Sequence, residues 1–163
     1  MSTQREMIVQ WLMELNQQWG VDCLKLDSNH QCHLHIGKTD LSFGLSDNEQ
    51  DVLLWSPLMP ADKFLEDQEL LTKLLVLNYD EPALSGSALS LDSERRFIVL
   101  GYRMITHGKD AQKFGDLLCN FTNTVEAVEA LLAGILARHS SYKSGAREPI
   151  AYETLHALHI MRP

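Results

Sequence analysis

The stretch LLTKLLVLNYDEPALSGSALSLDSERRFIVLGYRM, residues 70–104, decides how the rest of the chain is read. It opens as the second half of a Leu-rich helix that begins near Ala61 and ends near Asn78. A connection marked by Pro82 and Gly86 follows, and then two short strands, 88–91 and 97–105, hinged at Asp92-Ser93-Glu94. On a helical wheel the apolar residues Phe64, Leu70, Leu71, Leu74, Leu75 and Leu77 spread over roughly 160°, wider than the ~100° stripe of a one-sided surface helix. Glu66, Glu69 and Lys73 keep one polar edge, which rules out a membrane helix. A helix apolar on two flanks has two things to pack against, its own sheet and a second copy of the chain. We read the segment as a dimer-forming unit. The alternative is a central helix enclosed within one monomer.

Working outward toward the N-terminus, Met7, Ile8, Trp11, Leu12, Leu15 and Trp19 fall on one helical face, with Gln10, Glu14 and Gln17 opposite and Gly20 as the stop. Val9 and Met13 stand outside that stripe, as surface residues or as part of a second contact. After Leu24 and Leu26 the chain turns at Asp27-Ser28-Asn29. Cys32, Leu34 and Ile36 then alternate with Gln31, His33 and His35 as a half-buried strand. A turn at residues 37–40 leads to Leu41, Phe43 and Leu45 on one face of the next strand. Past the polar run 47–51, Val52-Leu53-Leu54-Trp55 reads as a further short strand, stopped by Pro57 and Pro60. The turns are too short for crossover helices, so the strands form an antiparallel meander. In the strand 97–105 both faces are apolar, which predicts a central or doubly covered position.

Toward the C-terminus, Phe114, Leu117, Leu118, Phe121, Val125, Val128, Leu132, Ile135 and Leu136 form a stripe of about 100° on a third helix, capped by Asp110. From His139 to Pro149 the composition turns to Ser, Lys, Gly and Arg, as in a connector, and Ile150 to Met161 could add a short helix around Leu155 and Leu158. The expected organisation is an α+β domain over residues 1–138, an antiparallel twisted sheet flanked by three helices, with a C-terminal extension over residues 139–163.

Composition bounds the function. With 163 residues the chain suffices for one cored domain, and 45% hydrophobic with 22% charged residues is globular in character. A net charge of −8 and the lack of a basic stripe speak against a nucleic-acid partner. No stretch approaches the ~18 apolar residues of a membrane span, and the first residues do not read as a secretory signal. Three cysteines, Cys23, Cys32 and Cys119, suggest no disulfide framework and fit a reducing cytoplasm.

Chemistry-bearing residues are sparse. His30, Cys32, His33 and His35, with Cys23 and Asp40 nearby, are the one metal-like cluster. His33 and His35 share a strand face while Cys32 points the other way, so a solvent-facing polar row is favoured over zinc. Cys119 lies beside an apolar helical stripe, where a buried inert thiol is expected. Gly108 before a helix and Asp80-Glu81 before Pro82 fall short of a nucleotide loop or an acid/base pair. We assign no catalytic residue, no metal and no cofactor. A small zinc- or thiol-dependent enzyme and a small-ligand-binding regulatory dimer stand as the alternatives to a binding protein.

The run LLTKLLVLN (Leu70 to Asn78), the strand and turn Gly86…Leu89-Ser90-Leu91-Asp92, the strand Phe97-Ile98-Val99-Leu100 and the repeat Phe114, Leu117, Leu118, Phe121 together resemble the class I type III secretion chaperones of Gram-negative bacteria. The resemblance covers about residues 3–137 and rests on patterned hydrophobics. It implies a cytoplasmic homodimer that, without ATP, holds the N-terminal segment of a secreted virulence effector extended and export-competent, with the secretion ATPase as a further candidate partner. By matching elements it implies a dimer interface at Leu70, Leu71, Leu74, Leu75, Leu77, Leu89, Leu91 and Phe97, and an effector groove at Val9, Met13, Leu34, Phe43, Leu45, Leu54 and Trp55. For each of these the competing role is plain core. The chain also continues past the third helix, where many members of that family stop.

Overall fold

The computed structural model describes residues 4–46, 51–80 and 82–145. Helix α1 (Gln4–Trp19) is followed by strands β1 (Gln31–Ile36), β2 (Thr39–Leu45) and β3 (Asp51–Pro60). Helices α2 (Asp62–Glu66) and α3 (Gln68–Asp80) come next, then a 3-10 turn (Pro82–Leu84), strands β4 (Ala88–Asp92) and β5 (Phe97–Ile105), and helix α4 (Ala111–Gly145). All strand pairings are antiparallel, in the order β1-β2-β3-β5-β4. The expected α+β architecture is therefore present, with β5 inside the sheet between β3 and β4.

The alternation of each strand explains the layers. Cys32 and Leu34, Leu41 and Phe43, Val52 and Leu54, Leu89, and Ile98, Leu100 and Met104 are buried. They meet Ile8, Trp11, Leu12 and Leu15 of α1 and the stripe Phe114, Leu118, Phe121, Val125, Val128, Leu132 and Ile135 of α4 in one core. Phe114 sits at its centre, edge-on to Phe43 at 5.2 Å between ring centroids and tilted against Trp11 at 6.1 Å. Helices α1 and α4 cross closely because Gly115 has no side chain. A Cβ there would lie 2.8 Å from Leu15 Cδ2 and 3.1 Å from Trp19 Cζ2.

Three boundaries differ from the sequence reading. The strand expected to stop at Pro57 continues to Pro60, with Pro57 opposite Val99 and an irregularity between Pro57 and Met59. Its pairing with β2 ends at Trp55, so the prolines occupy a segment with no strand on one edge among the described residues, where a missing N–H costs little. The expected second helix is divided at Asp67, which is extended (φ −129°, ψ 108°). Asp67 Oδ1 accepts from the N–H groups of Glu69 (3.0 Å) and Leu70 (3.3 Å), capping α3 as a separate helix. The last helix, expected to end near Leu136 with a connector from His139, runs to Gly145. His139 is buried against Asp67, which gives that polar stretch a tertiary anchor. Residues 47–50 and 146–163, including the short helix expected around Leu155 and Leu158, lie outside the described residues.

Candidate functional site

Helix α3 separates the leucines that its sequence groups together. Leu70 and Leu74, one turn apart, are buried in the protein's own core, as is Leu89 of β4, so these three have no surface left for a partner. Leu71 and Leu77 are half-buried at the margin. Leu75 is 61% exposed, as is Val76, and Tyr79 is 92% exposed. These form an outer apolar face, to which Val76 and Tyr79 contribute although sequence reasoning missed them. On the neighbouring strands Leu91 is exposed and Phe97 half-buried. Asn78 fastens α3 to the edge strand. Its side-chain amide accepts from the Leu89 N–H (2.7 Å) and donates to the Leu89 carbonyl (3.0 Å), taking up the backbone groups that β4 would offer a further strand there.

The residues assigned to a groove do not form one surface. Phe43 and Leu54 lie in the centre of the core, a correction that follows from α4 packing on that sheet face. Leu45 is half-buried against the same core. Val9 and Met13 are exposed on the outer flank of α1, Met13 at 60%. Trp55 is on the opposite sheet face, in an open cleft of about 660 Å³ that also contains Ser42, Pro57, Phe97 and Val99. Trp55 and Phe97, assigned to different surfaces, thus share one.

Leu34 belongs to a second cleft of about 660 Å³, between β1 and α4. Trp19 at the end of α1 and Val21 and Cys23 of the α1–β1 loop form one wall, Leu34 and Ile36 of β1 another, and Leu118, Cys119 and Thr122 of α4 the third. Val21 and Ile36 remain exposed on its rim. Strand β1 ends the sheet, so among the described residues its outer backbone edge has no strand partner beside this apolar lining. Apart from Leu34 the sequence offered no signal for this cleft, because its walls are far apart along the chain. Cys119 is exposed on the cleft wall, not buried as expected, because its position on α4 lies just off the stripe that faces the core.

The metal-like cluster is dispersed. His33 Nδ1 is 2.7 Å from Ser42 Oγ, and His35 Nδ1 is 2.7 Å from Asp40 Oδ1, each imidazole paired across the β1–β2 hairpin. Cys32 points into the core, where burial pushes its thiol pKa up and leaves it a poor nucleophile. Among the described residues no three His, Cys, Asp or Glu side chains converge as a metal set, and no helix is long and apolar enough to cross a membrane.

Comparison with known proteins agrees with this architecture. None of the curated proteins matches the chain. Among solved structures, a chain of the ExsC–ExsE complex superposes with a TM-score of 0.65 at 17% identity, covering 77% of this chain and 92% of that one. A chain of the HopA1–SchA chaperone–effector complex gives 0.61 at 15% identity, with 82% and 96% covered. A chain of the heterodimeric ExoU–SpcU complex from the type III secretion system of Pseudomonas aeruginosa gives 0.54 at 20% identity, with 77% and 94% covered. These likenesses establish a shared fold. The model of the Tir chaperone protein (CesT) family matches residues 10–129, from α1 well into α4, and the chain belongs to that family.

Proposed function

We propose that this protein is a cytoplasmic type III secretion chaperone that binds the N-terminal segment of an effector in extended form and keeps it soluble for export. The observation that carries this reading is the edge of β1, which among the described residues no strand covers and which only Asp27 occupies, at Gln31, beside an apolar cleft rimmed by Trp19, Val21 and Ile36 over the buried Leu34 and Leu118. An extended guest can add its backbone to such an edge and place alternate side chains in the cleft. Exposed Val9 and Met13 on α1 offer a second apolar contact for a guest that continues around the subunit. The reading involves no enzymatic step, and family membership together with a structural neighbour in a chaperone–effector complex and another from a type III secretion system supports it. The secretion ATPase is a further proposed partner, with no surface assigned to it. The family match ends at residue 129, which supports a domain of about the expected extent, although α4 runs on unbroken to Gly145.

The chaperone works as a homodimer in this proposal, joined through the outer face of α3 (Leu75, Val76, Tyr79, with Leu71 and Leu77 at the margin) and Leu91 of β4, whereas Phe97 belongs to the Trp55 cleft. Exposed apolar side chains on a helix held rigidly to the sheet by Asn78 support that reading.

Purification from the native host, with identification of the bound secreted protein, tests the function. The N-terminal fragment of that protein should then bind the wild type, and Val21→Asp and Ile36→Asp should each weaken binding by about tenfold or more while leaving thermal unfolding unchanged. Binding by both variants at wild-type affinity refutes the β1 cleft as the guest site.

A further inference from the structure

The last turns of α4 carry a side-chain cluster that the binding surfaces do not use. His139 is buried, with Nε2 2.8 Å from Asp67 Oδ2, a contact spanning 72 residues of sequence. Lys143, one turn further on, pairs with the same carboxylate oxygen. The other oxygen of Asp67 caps α3, so one carboxylate holds the start of α3 and the end of α4 together. An ionised carboxylate only accepts, which assigns the proton of a neutral ring to Nε2 and leaves Nδ1 a bare acceptor. Among the described residues Nδ1 is buried with no hydrogen-bond partner, and the nearest carboxylate oxygen, Glu69 Oε1, is 3.7 Å away. Two acceptors therefore face each other across that gap while the ring is neutral.

We propose that Asp67, His139 and Glu69 form a proton-operated latch that fastens the end of α4 to the start of α3 more firmly as the medium turns acidic. A second proton on the ring turns Nδ1 into a donor aimed at Glu69, and the imidazolium then bridges two carboxylates. The charged groups around the ring are Asp67, Glu69 and Lys73 on the α3 side and Lys143 on α4 itself. The two lysines repel an imidazolium. Each is already bound to one of the same carboxylates, however, Lys73 to Glu69 at 2.6 Å and Lys143 to Asp67, so the ring faces a site close to neutral that offers acceptors in the right places. Asp67 stays ionised throughout mild acidity, because Lys143 and then His139 hold its carboxyl well below the usual carboxylate range. The inference does not depend on the chaperone reading.

Hydrogen–deuterium exchange of the full chain at about pH 5.5 and about pH 7.5, corrected for intrinsic rates, tests it. In the wild type, protection of the helical amides 139–143 should rise by roughly five- to tenfold at the lower pH. Both His139→Gln and Glu69→Ala should remove that gain, the second by deleting the acceptor at a half-exposed residue whose loss leaves the fold intact. No gain in the wild type, or a gain that persists in either variant, overturns the latch.

Discussion

Leu75→Asp tests the proposed dimer face most directly, because it changes a residue that the subunit itself does not need. Leu75 keeps 61% of its surface open, whereas Leu74, the adjacent residue, keeps 8%. Burying a whole leucine is worth about 1.5–3 kcal/mol, so covering the open part of Leu75 in a seam contributes about 1–2 kcal/mol per subunit. A two-fold interface counts this twice, and replacing the leucines with two carboxylates adds a desolvation penalty of several kcal/mol. The combined loss of about 5 kcal/mol or more corresponds to a weakening of roughly 10³–10⁴ in the dissociation constant. Sedimentation equilibrium at about 20 µM, a concentration at which a micromolar dimer is largely formed, should report twice the 18.5 kDa chain mass for the wild type and the chain mass itself for Leu75→Asp. The variant's own unfolding free energy should move by only about 0.5 kcal/mol, since an exposed position is being changed. Leu74→Asp places a carboxylate inside the core and should instead destabilise the subunit by several kcal/mol. A wild type that is monomeric at this concentration, or a Leu75→Asp variant that remains dimeric, refutes the assignment of the outer α3 face.

Three further outcomes follow from the fold. Asn78→Ala removes both bonds to Leu89 and should cost about 1–3 kcal/mol in urea denaturation, with the β4 amides the first to lose exchange protection. Gly115→Val should lower stability by about 2–3 kcal/mol, because Leu15 and Trp19 already stand within 3.1 Å of where its Cβ would be. Asp67 has a folded-state pKa below its unfolded value, with Lys143 and then His139 as the largest causes. Its contribution to stability is therefore fully present above the ordinary carboxylate pKa and is lost as pH falls through and below that range. Asp67→Asn should lower stability at neutral pH and flatten the acid limb of the stability profile. An acid limb as steep as the wild type's rules Asp67 out as its source.

Periodicity made the elements legible. The two-residue alternation of Cys32, Leu34 and Ile36 and the helical spacing of Phe114, Leu118 and Phe121 are local properties of the backbone, so strands, helices and the α+β class could be read directly. The same rule cannot say which buried stripe meets which. It placed Phe43 and Leu54 on a groove, although α4 covers them, and it grouped Leu74 with Leu75, which point to opposite environments. It also ended the last helix near Leu136, because the polar residues 139–145 carry no apolar stripe of their own.

By itself, then, the sequence determined an acidic chain without a metal or nucleotide motif, an antiparallel meander framed by amphipathic helices, and a resemblance to secretion chaperones that family membership agrees with. Only the tertiary structure decided which apolar residues remain open, that β1 and α4 bound a common cleft, and that Asp67 reaches His139. The reason is physical. Side-chain direction along one element follows from its own backbone geometry, whereas exposure depends on what the rest of the chain brings to cover it.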